Sequence, residues 1–256
     1  MRTPAVIAAA LLSLATVQPA TLQGPADLSL RVLCSNAIRV AMERLLPDAE
    51  RTVGRPVSVR FSSSTALRES IDRGEAFDLA ILTPEMIETL VRNGTIRPAT
   101  RRDLASVDLA VGVRAGSPKT DISTPDAVRR RLLAARSMTW TEGGASSGPV
   151  LAMIRALDLE EQLRPRIVLQ RVPGTAAGAV ARGDHELFFA PVSEIQAVPG
   201  VEVLGLLPPP FQQPVVMTAG IAARTRAPGA AAALVGFLTS PTAARALEAA
   251  GMKPAR

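Results

Sequence analysis

The feature that most constrains this chain is a repeated order in which a short apolar run precedes a segment with apolar residues at helical spacing. The first example is "LSLRVLC" (residues 28–34), followed by the helical pattern of residues 37–54 and a second apolar run, "PVSVRF" (residues 56–61). Strands that alternate with helices predict a mostly parallel sheet with helices on both faces. We therefore expect an α/β fold.

The alternation continues along the chain in two sets. The second set begins near residue 123, where Thr124 is a suitable helix N-cap and Pro125 fits the first helical position. The apolar helical pattern of residues 228–251 closes the chain, and we expect it to return to the first set. This organisation predicts two lobes with a ligand cleft between them. The predicted limits are residues 27–110 plus 208–256 for lobe 1 and residues 111–207 for lobe 2.

The N-terminus has the layout of a secretory signal peptide. Arg2 precedes an apolar run from Ala5 to Val17, and small residues and a proline follow it. The run is short for a bilayer span. We predict a signal peptide over about residues 1–20 and a periplasmic location. The alternative interpretation is a buried N-terminal helix.

Composition argues against several classes of function. Aromatic residues make up 3% of the chain and tyrosine is absent, so a nucleic-acid surface built on stacked aromatic rings is not expected. The net charge of +6 suggests a polyanion partner, but the arginines are spread along the chain. The densest run, "RRRLLAAR" (residues 129–136), alternates with apolar residues and indicates a solvated helix face.

Cysteine and histidine are too few for several kinds of site. The chain has one of each, so no internal disulfide, Cys/His metal set or Ser-His-Asp arrangement is expected. Cys34 closes an apolar run, which favours a small buried residue over a nucleophile. We expect no metal and no cofactor.

Small polar residues follow the apolar runs at four junctions. The runs ending at Cys34, Phe61 and Leu82 lead into "SNA", "SSSTA" and "TPE", and the run ending at Trp140 leads into "TEGGASSGP". Capping alone explains any one of them. In an open parallel sheet, however, all four junctions lie at the edge where ligands bind. Helix N-termini there present N–H groups and partial positive charge, which favour an anion.

The fourth junction has the most distinctive composition. Gly143 and Gly144 let the backbone approach a ligand closely, and Ser146 or Ser147 can cap the helix or donate a hydroxyl. Neither the phosphate-binding "GK[ST]" ending nor the "GxGxxG" order is present. The loop therefore suits a small anion better than a nucleotide.

The order of "RVLCSNA", "VSVRFSSSTAL", "GGASSGPVLAMIRALDL" and "LVGFLTSPTAARALEAAGMKP" resembles bacterial periplasmic solute-binding proteins of the molybdate-binding type. The likeness covers residues 28–254. It implies two α/β lobes that close around a small anion, either a molybdate-like oxyanion or a small carboxylate, for delivery to a membrane ABC permease. We expect a monomer that does not bind nucleic acid.

The resemblance also implies a set of ligand-binding positions. Family members hold the anion with serine hydroxyls and helix-end amides, and usually with a tyrosine that here falls on or beside Phe189. The missing hydroxyl puts tight molybdate binding in doubt and is compatible with a partly organic anion. The expected ligand-binding residues are Ser35, Asn36, Ser63, Ser64, Thr83, Gly144, Ser146, Ser147, Gly148, Phe189 and Arg114.

The same branch is similar to periplasmic aconitate isomerases, which leaves an enzymatic alternative open. That reaction needs a base that moves an allylic proton. Glu142 and Glu85 are the candidates, although each also fits as a first-turn helix acid. Arg114 can pair with a carboxylate or remain a surface residue. A third alternative, a basic protein that binds envelope polyanions, rests only on the isoelectric point of about 11.0.

Overall fold

The computed structural model describes residues 28–172 and 174–255. The predicted signal peptide lies outside the described residues. Two mixed β-sheets, each flanked by helices, form two lobes. The predicted two-lobed α/β fold is confirmed.

The first sheet has six strands in the order β11-β4-β10-β3-β1-β2. Strands β2 and β3 run parallel to β1 on its two sides, and β10 joins β3 in the antiparallel direction. The parallel strands are built from the alternating runs that the sequence predicts. The strands are β1 Leu30–Ser35, β2 Val57–Ser62, β3 Leu79–Leu82, β4 Arg102–Val107, β10 Val215–Ile221 and β11 Lys253–Pro254.

The second sheet has five strands in the order β7-β6-β8-β5-β9. Strands β7 and β8 are parallel to β6, whereas β5 is antiparallel to both β8 and β9. Each sheet thus combines three parallel strands with antiparallel ones. The strands are β5 Leu109–Arg114, β6 Met138–Thr141, β7 Ile167–Gln170, β8 Leu187–Pro191 and β9 Val201–Leu206.

Ten α-helices within the described residues cover the two sheets. Thr124 caps α4 as the sequence predicts, because its hydroxyl accepts the Ala127 N–H. A short 3-10 turn, Asn36–Ile38, leads directly into α1. The helices are α1 Arg39–Val53, α2 Ser64–Asp72, α3 Pro84–Arg92, α4 Pro125–Ala134, α5 Ser147–Ala156, α6 Glu160–Leu163, α7 Thr175–Arg182, α8 Val192–Gln196, α9 Pro228–Leu238 and α10 Pro241–Ala249.

The chain crosses between the sheets twice. Asp108 alone separates β4 from β5, and residues 207–214 connect β9 to β10. The Gln212 side chain joins the crossings, because its oxygen accepts the Leu109 N–H at 2.8 Å and its NH2 donates to the Leu109 and Leu207 carbonyls. The residue limits predicted for the lobes stay a prediction.

The C-terminal segment packs on the first sheet. Strand β11 pairs with β4, and Arg44 of α1 donates to the Ala249 carbonyl. The apolar segment of residues 228–251 forms two helices, α9 and α10, bent by 60°. Among the described residues, no single helix is long and apolar enough to cross a membrane, and this bent pair reaches that threshold only when both helices are taken together.

Two sequence expectations differ in detail from the structure. The strand patterns did not predict β4 or β9, because charged or polar residues interrupt both runs. The arginine run of α4 is only partly a solvated face. Arg129 donates to the Leu157 carbonyl, and Arg131 pairs with Glu186 at 2.8 Å.

Cys34 is fully buried, as predicted, and burial raises the pKa of its thiol well above the ordinary value.

Replacing Gln212 with alanine is expected to lower the free energy of unfolding by about 1 to 3 kcal/mol, because the buried Leu109 N–H loses its acceptor. The neighbouring Gln213 is exposed and serves as a matched control, for which we expect a change within about 0.5 kcal/mol. Urea unfolding followed by circular dichroism measures both. Equal stability of the two variants would contradict a role for Gln212 in joining the crossings.

Candidate functional site

Three polar strand ends lie side by side at one edge of the first sheet. Ser35 ends β1 and is in register with Ser62, which ends β2, while Thr83 follows β3 on the other side of β1. Each strand end is followed by a helical segment. The junctions that looked similar in the sequence therefore meet at one edge, as expected for the carboxyl ends of parallel strands.

Ser35 and Ser64 form a buried hydroxyl pair at this edge. The Ser64 hydroxyl donates to Ser35 Oγ at 3.1 Å, and the Ala37 N–H donates to the same oxygen at 3.4 Å. Ser35 thus accepts two hydrogen bonds and keeps its own O–H proton for a further acceptor. Both serines are almost completely buried. The pair can present a positioned donor to a ligand oxygen.

Asn36 carries a buried polar atom that no described residue satisfies. Its Oδ1 has no hydrogen-bond partner among residues 28–172 and 174–255. Buried side-chain oxygens without a partner are rare in proteins. Rotation of the amide exchanges the oxygen for the NH2 group, so Asn36 can present either a donor or an acceptor.

Ser63 is the N-cap of α2. Its hydroxyl accepts the Ala66 N–H at 3.2 Å, and only 8% of the residue is exposed. An N-cap leaves other N–H groups of the first helical turn unpaired, and these carry the positive end of the helix dipole. Ser63 therefore combines a structural hydrogen bond with a place at a helix N-terminus.

The second lobe contributes the loop that joins β6 to α5. The Ser146 hydroxyl donates to the Phe189 carbonyl at 3.3 Å, and the Ser147 hydroxyl donates to the Thr141 carbonyl at 2.8 Å. Neither serine caps α5 with its side chain. Gly144 lies tightly against Thr141, because a Cβ at Gly144 would come within 3.0 Å of the Thr141 oxygen. The loop backbone is thus held against the end of β6.

Five of these residues, Ser35, Asn36, Ser63, Gly144 and Ser146, meet at a small central cavity between the lobes. Its volume of about 10 Å³ has room for about one water molecule, so a larger ligand requires the lobes to move apart. The central cavity is lined by Ser35, Asn36, Ser63, Thr141, Gly144, Ala145, Ser146, Phe188, Phe189 and Glu194.

Two larger cavities flank the central one. The phenylalanine cavity, of about 490 Å³, is bordered by Phe61 and Phe188 together with the charged residues Arg39, Glu43 and Glu194. The proline cavity, of about 500 Å³, shares Gly144 and Ala145 with the central cavity and is bordered by Pro84, Pro149 and Pro214. Polar groups from both lobes therefore surround a small cavity that continues into a partly apolar space.

Several predicted site residues line the proline cavity instead of the central one. Thr83, Glu85, Ser147 and Gly148 border it, and Ser64 lines it while bonding to Ser35. Glu85 is exposed. The structure thus places these predicted residues in a cavity next to the central one.

Three further predicted residues have side chains that are packed, paired or placed away from the central cavity. Phe189 is 1% exposed and packs edge-to-face against Trp140, with ring centroids 6.0 Å apart. Glu142 is exposed and pairs with Arg171 at 3.1 Å. Arg114 lies beside Gly183 and lines none of the three cavities.

Glu194 is a residue of the central cavity that sequence reasoning missed. It lies in the first turn of α8, directly after β8, and lines both the central and the phenylalanine cavities. Burial raises the pKa of its carboxyl to about 7. The sequence carries a signal for this position in "FFAPVSE", where Glu194 follows an apolar run. This is a fifth junction between a strand and a helix, like the four described above.

Arg39 is the second missed residue. It begins α1 and stacks over the Phe61 ring, 5.2 Å from the centroid, where it borders the phenylalanine cavity. Its Nε also pairs with Glu43 at 2.7 Å.

Among the described residues, no group of three or more His, Cys, Asp or Glu side chains is placed to hold a metal ion. The arrangement of hydroxyls, amides and one guanidinium suits an oxyanion.

Two contacts join the lobes at the cleft. The Ser193 hydroxyl of α8 donates to the Ala37 carbonyl at 2.8 Å. Gly143, with a φ of +63°, lies against Thr65 of α2, and a Cβ at Gly143 would come within 2.8 Å of the Thr65 Cβ. The absence of a side chain at Gly143 therefore permits the lobes to approach each other.

The chain is similar to a known protein family and to a characterised relative. Residues 30–253 match the model of the bacterial extracellular solute-binding protein family. The chain is 31% identical over 240 residues to an aconitate isomerase from a Pseudomonas species, and the match covers 88% of each protein.

Solved structures share the fold. The periplasmic molybdate-binding protein of Azotobacter vinelandii superposes with a TM-score of 0.73 at 21% identity, covering 89% of this chain and all of that one. A sulfate-binding protein from Mycobacterium tuberculosis gives a TM-score of 0.71 at 18% identity, covering 88% and 86%. At these identities the likeness concerns the fold alone.

A methyl group at Gly143 is expected to hold the lobes apart. The matched control is Gly116→Ala, because Gly116 has a similar φ of +79° and no atom near its Cβ position. Both variants bear left-handed backbone strain of about 1 to 2 kcal/mol, but only Gly143→Ala collides with Thr65. Small-angle X-ray scattering should show a larger radius of gyration for Gly143→Ala alone. Identical scattering from both variants would refute this role.

Proposed function

We propose that this chain, which belongs to the bacterial extracellular solute-binding protein family, captures a small anion in the central cavity between its lobes. One observation carries the proposal. Ser35, Asn36 and Ser63 from the first lobe and Gly144 and Ser146 from the second surround the same small space. Two lobes that each supply part of one polar site are typical of proteins that close on a ligand.

The number of donors is sufficient for useful affinity. Micromolar binding requires about 8 kcal/mol. A hydrogen bond to a charged group contributes about 1.5 to 3 kcal/mol, and a helix N-terminus adds about 0.3 to 1 kcal/mol. The Ser35 and Ser63 hydroxyls act only as acceptors within the described residues, so their protons and the Asn36 NH2 group are available to a ligand. These three donors, together with the helix N-termini, reach this range when the lobes close and exclude water.

The surroundings of the site favour a small carboxylate over molybdate. The chain has no tyrosine, and the family resemblance implies that the usual hydroxyl falls on or beside Phe189. The central cavity continues toward Phe61, Phe188 and Arg39. A carbon skeleton fits against the two rings, and a second carboxylate fits the guanidinium.

The wider role that we propose is transport. A signal peptide over about residues 1–20 would export the chain to the periplasm, where the monomer would deliver its anion to an ABC permease. Membership of the solute-binding family and the two-lobed fold support this role. The two crossings beside Gln212 supply the hinge for opening and release.

Aconitate isomerisation is the second candidate function. The observation that favours it is the 31% identity to an aconitate isomerase over 88% of both chains. The reaction moves a proton from one carbon of the substrate to another while the double bond shifts, so it needs a group that accepts and returns a proton. The candidates named from the sequence, Glu142 and Glu85, are both exposed, whereas Glu194 lines the central cavity.

Ligand capture predicts a rise in melting temperature, because a ligand that binds only the folded state stabilises it by mass action. At a ligand concentration of about 100 times Kd the gain is about 2.7 kcal/mol. Thermal-shift measurements with molybdate, tungstate, sulfate, phosphate and di- and tricarboxylates test this, and we expect the carboxylates to give the largest shifts. No shift with any of them would contradict the proposal.

Replacing Ser63 with alanine is expected to weaken anion binding by about tenfold or more, equivalent to about 1.4 kcal/mol. Ser240→Ala is the matched control, because Ser240 caps α10 through the same bond, from the Ala243 N–H at 3.3 Å, outside the cleft. Both variants should lose about 0.5 to 2 kcal/mol of stability as caps. Titration calorimetry should find weaker binding for Ser63→Ala alone, and equal affinities would show that Ser63 is only a cap.

The isomerase candidate predicts that the purified protein interconverts cis- and trans-aconitate. Proton NMR follows both isomers directly. Glu142→Gln should retain full activity, because the Glu142 carboxylate is exposed and paired with Arg171. Absence of interconversion above the buffer rate would reject the isomerase and leave the binding proposal intact.

A further inference from the structure

Glu194 occupies an unusual position for an acidic residue. It lines the central cavity beside the donors that suit an anion, and it also borders the phenylalanine cavity. Residues on both sides of it are fixed, because Ser193 bonds to the Ala37 carbonyl of the other lobe and Ile195 is fully buried. The backbone that carries Glu194 is therefore held at the site.

No described residue neutralises this carboxyl. Among residues 28–172 and 174–255, Glu194 makes no hydrogen bond or ion pair. The charged groups that share its cavity are Arg39 and Glu43, which pair with each other at 2.7 Å. Glu194 is half-buried at the cavity wall, and this loss of solvent without a partner disfavours the ionised form and raises the pKa of Glu194 to about 7.

The charged groups on the elements packed against α8 either pair with other residues or lie outside the three cavities. These elements are the 3-10 turn before α1 and strands β5, β8 and β9. The turn and β8 carry no charged residue. Arg114 of β5 lies beside Gly183, Glu202 of β9 pairs with Lys119 at 3.2 Å, and the nearby Lys253 pairs with Asp108 at 2.7 Å.

An ionised carboxylate at this place would repel the anion that the other groups attract. A protonated carboxyl instead donates a strong, short O–H hydrogen bond to an anionic oxygen. We propose that Glu194 binds the ligand in its protonated form and donates to a ligand carboxylate, so that the site takes up one proton with each anion. This inference rests on the proposed function of the cleft.

The same geometry indicates the class of ligand. An ordinary carboxylate, with a pKa of about 4, holds a proton less strongly than Glu194 does, so the proton stays on Glu194 and the ligand carboxylate accepts the hydrogen bond. The apolar walls at Phe61 and Phe188 then contact the carbon skeleton, and Arg39 meets a second acidic group. Small organic acids with two or three carboxylates fit this arrangement.

Titration calorimetry with trans-aconitate and citrate tests the inference on the wild-type protein. Binding is measured near pH 6.5 and near pH 8.5, in two buffers that differ in ionisation enthalpy. With a pKa of about 7, the protonated fraction of the free protein falls about twentyfold over this range, so affinity should fall by a similar factor. Near pH 8.5, binding should take up about one proton.

Glu194→Gln mimics the protonated carboxyl and is the decisive variant. We expect its affinity to be the same at both pH values, with no proton uptake, and to exceed that of the wild type near pH 8.5. Glu202→Gln is the control, because Glu202 lies in β9 and borders none of the three cavities. It should behave as the wild type does. The wild-type measurement remains decisive if Glu194→Gln folds poorly.

The outcomes separate the two proposals. Binding that shows the same affinity at both pH values and no proton uptake in the wild type overturns the role of Glu194 and leaves anion capture standing. Proton uptake that persists unchanged in Glu194→Gln also overturns it. Failure of every anion to bind at either pH rejects the proposed function, and the inference with it.

Discussion

The relative position of the two sheets depends on the pair of chain crossings that Gln212 joins. One crossing contains a single residue, Asp108, and the other contains residues 207–214. The Gln212 amide makes hydrogen bonds to the backbone of Leu109, directly after the first crossing, and of Leu207 in the second. The crossings lie beside the ligand-facing strand ends, because the Asp108 carbonyl accepts the Val192 N–H at 3.0 Å directly after β8, and Pro214 borders the proline cavity. The contacts from Ser193 to Ala37 and from Gly143 to Thr65 then set how closely the lobes approach.

Much of the fold follows from local sequence patterns. Buried parallel strands such as β1 and β3 are nearly continuous apolar runs, and the helices between them show apolar residues at helical spacing. Strand β4 is not predicted by an apolar run, because it begins with Arg102 and Asp103. Its position in the sheet comes from pairing with β10. The break between α9 and α10 was also absent from the pattern, although Pro241 marks it.

The site was predictable only in part. Serine and asparagine at strand ends identified Ser35, Asn36, Ser63 and Ser146, because parallel topology brings such ends together. Local sequence cannot say which of several neighbouring cavities a side chain enters, so Ser147 and Gly148 were assigned together with Ser146. Glu194 was missed because an acid in a first helical turn is ordinary, and only the packing of both lobes makes it exceptional.

The burial of Cys34 has a practical consequence for studying lobe closure. The chain contains no other cysteine, and this one is inaccessible, with a raised thiol pKa that keeps it unreactive. A single cysteine introduced at the rim of the cleft would be the one reactive thiol on the surface. An environment-sensitive fluorophore attached there would report the proposed lobe movement as an optical signal, without first removing a native residue from the core.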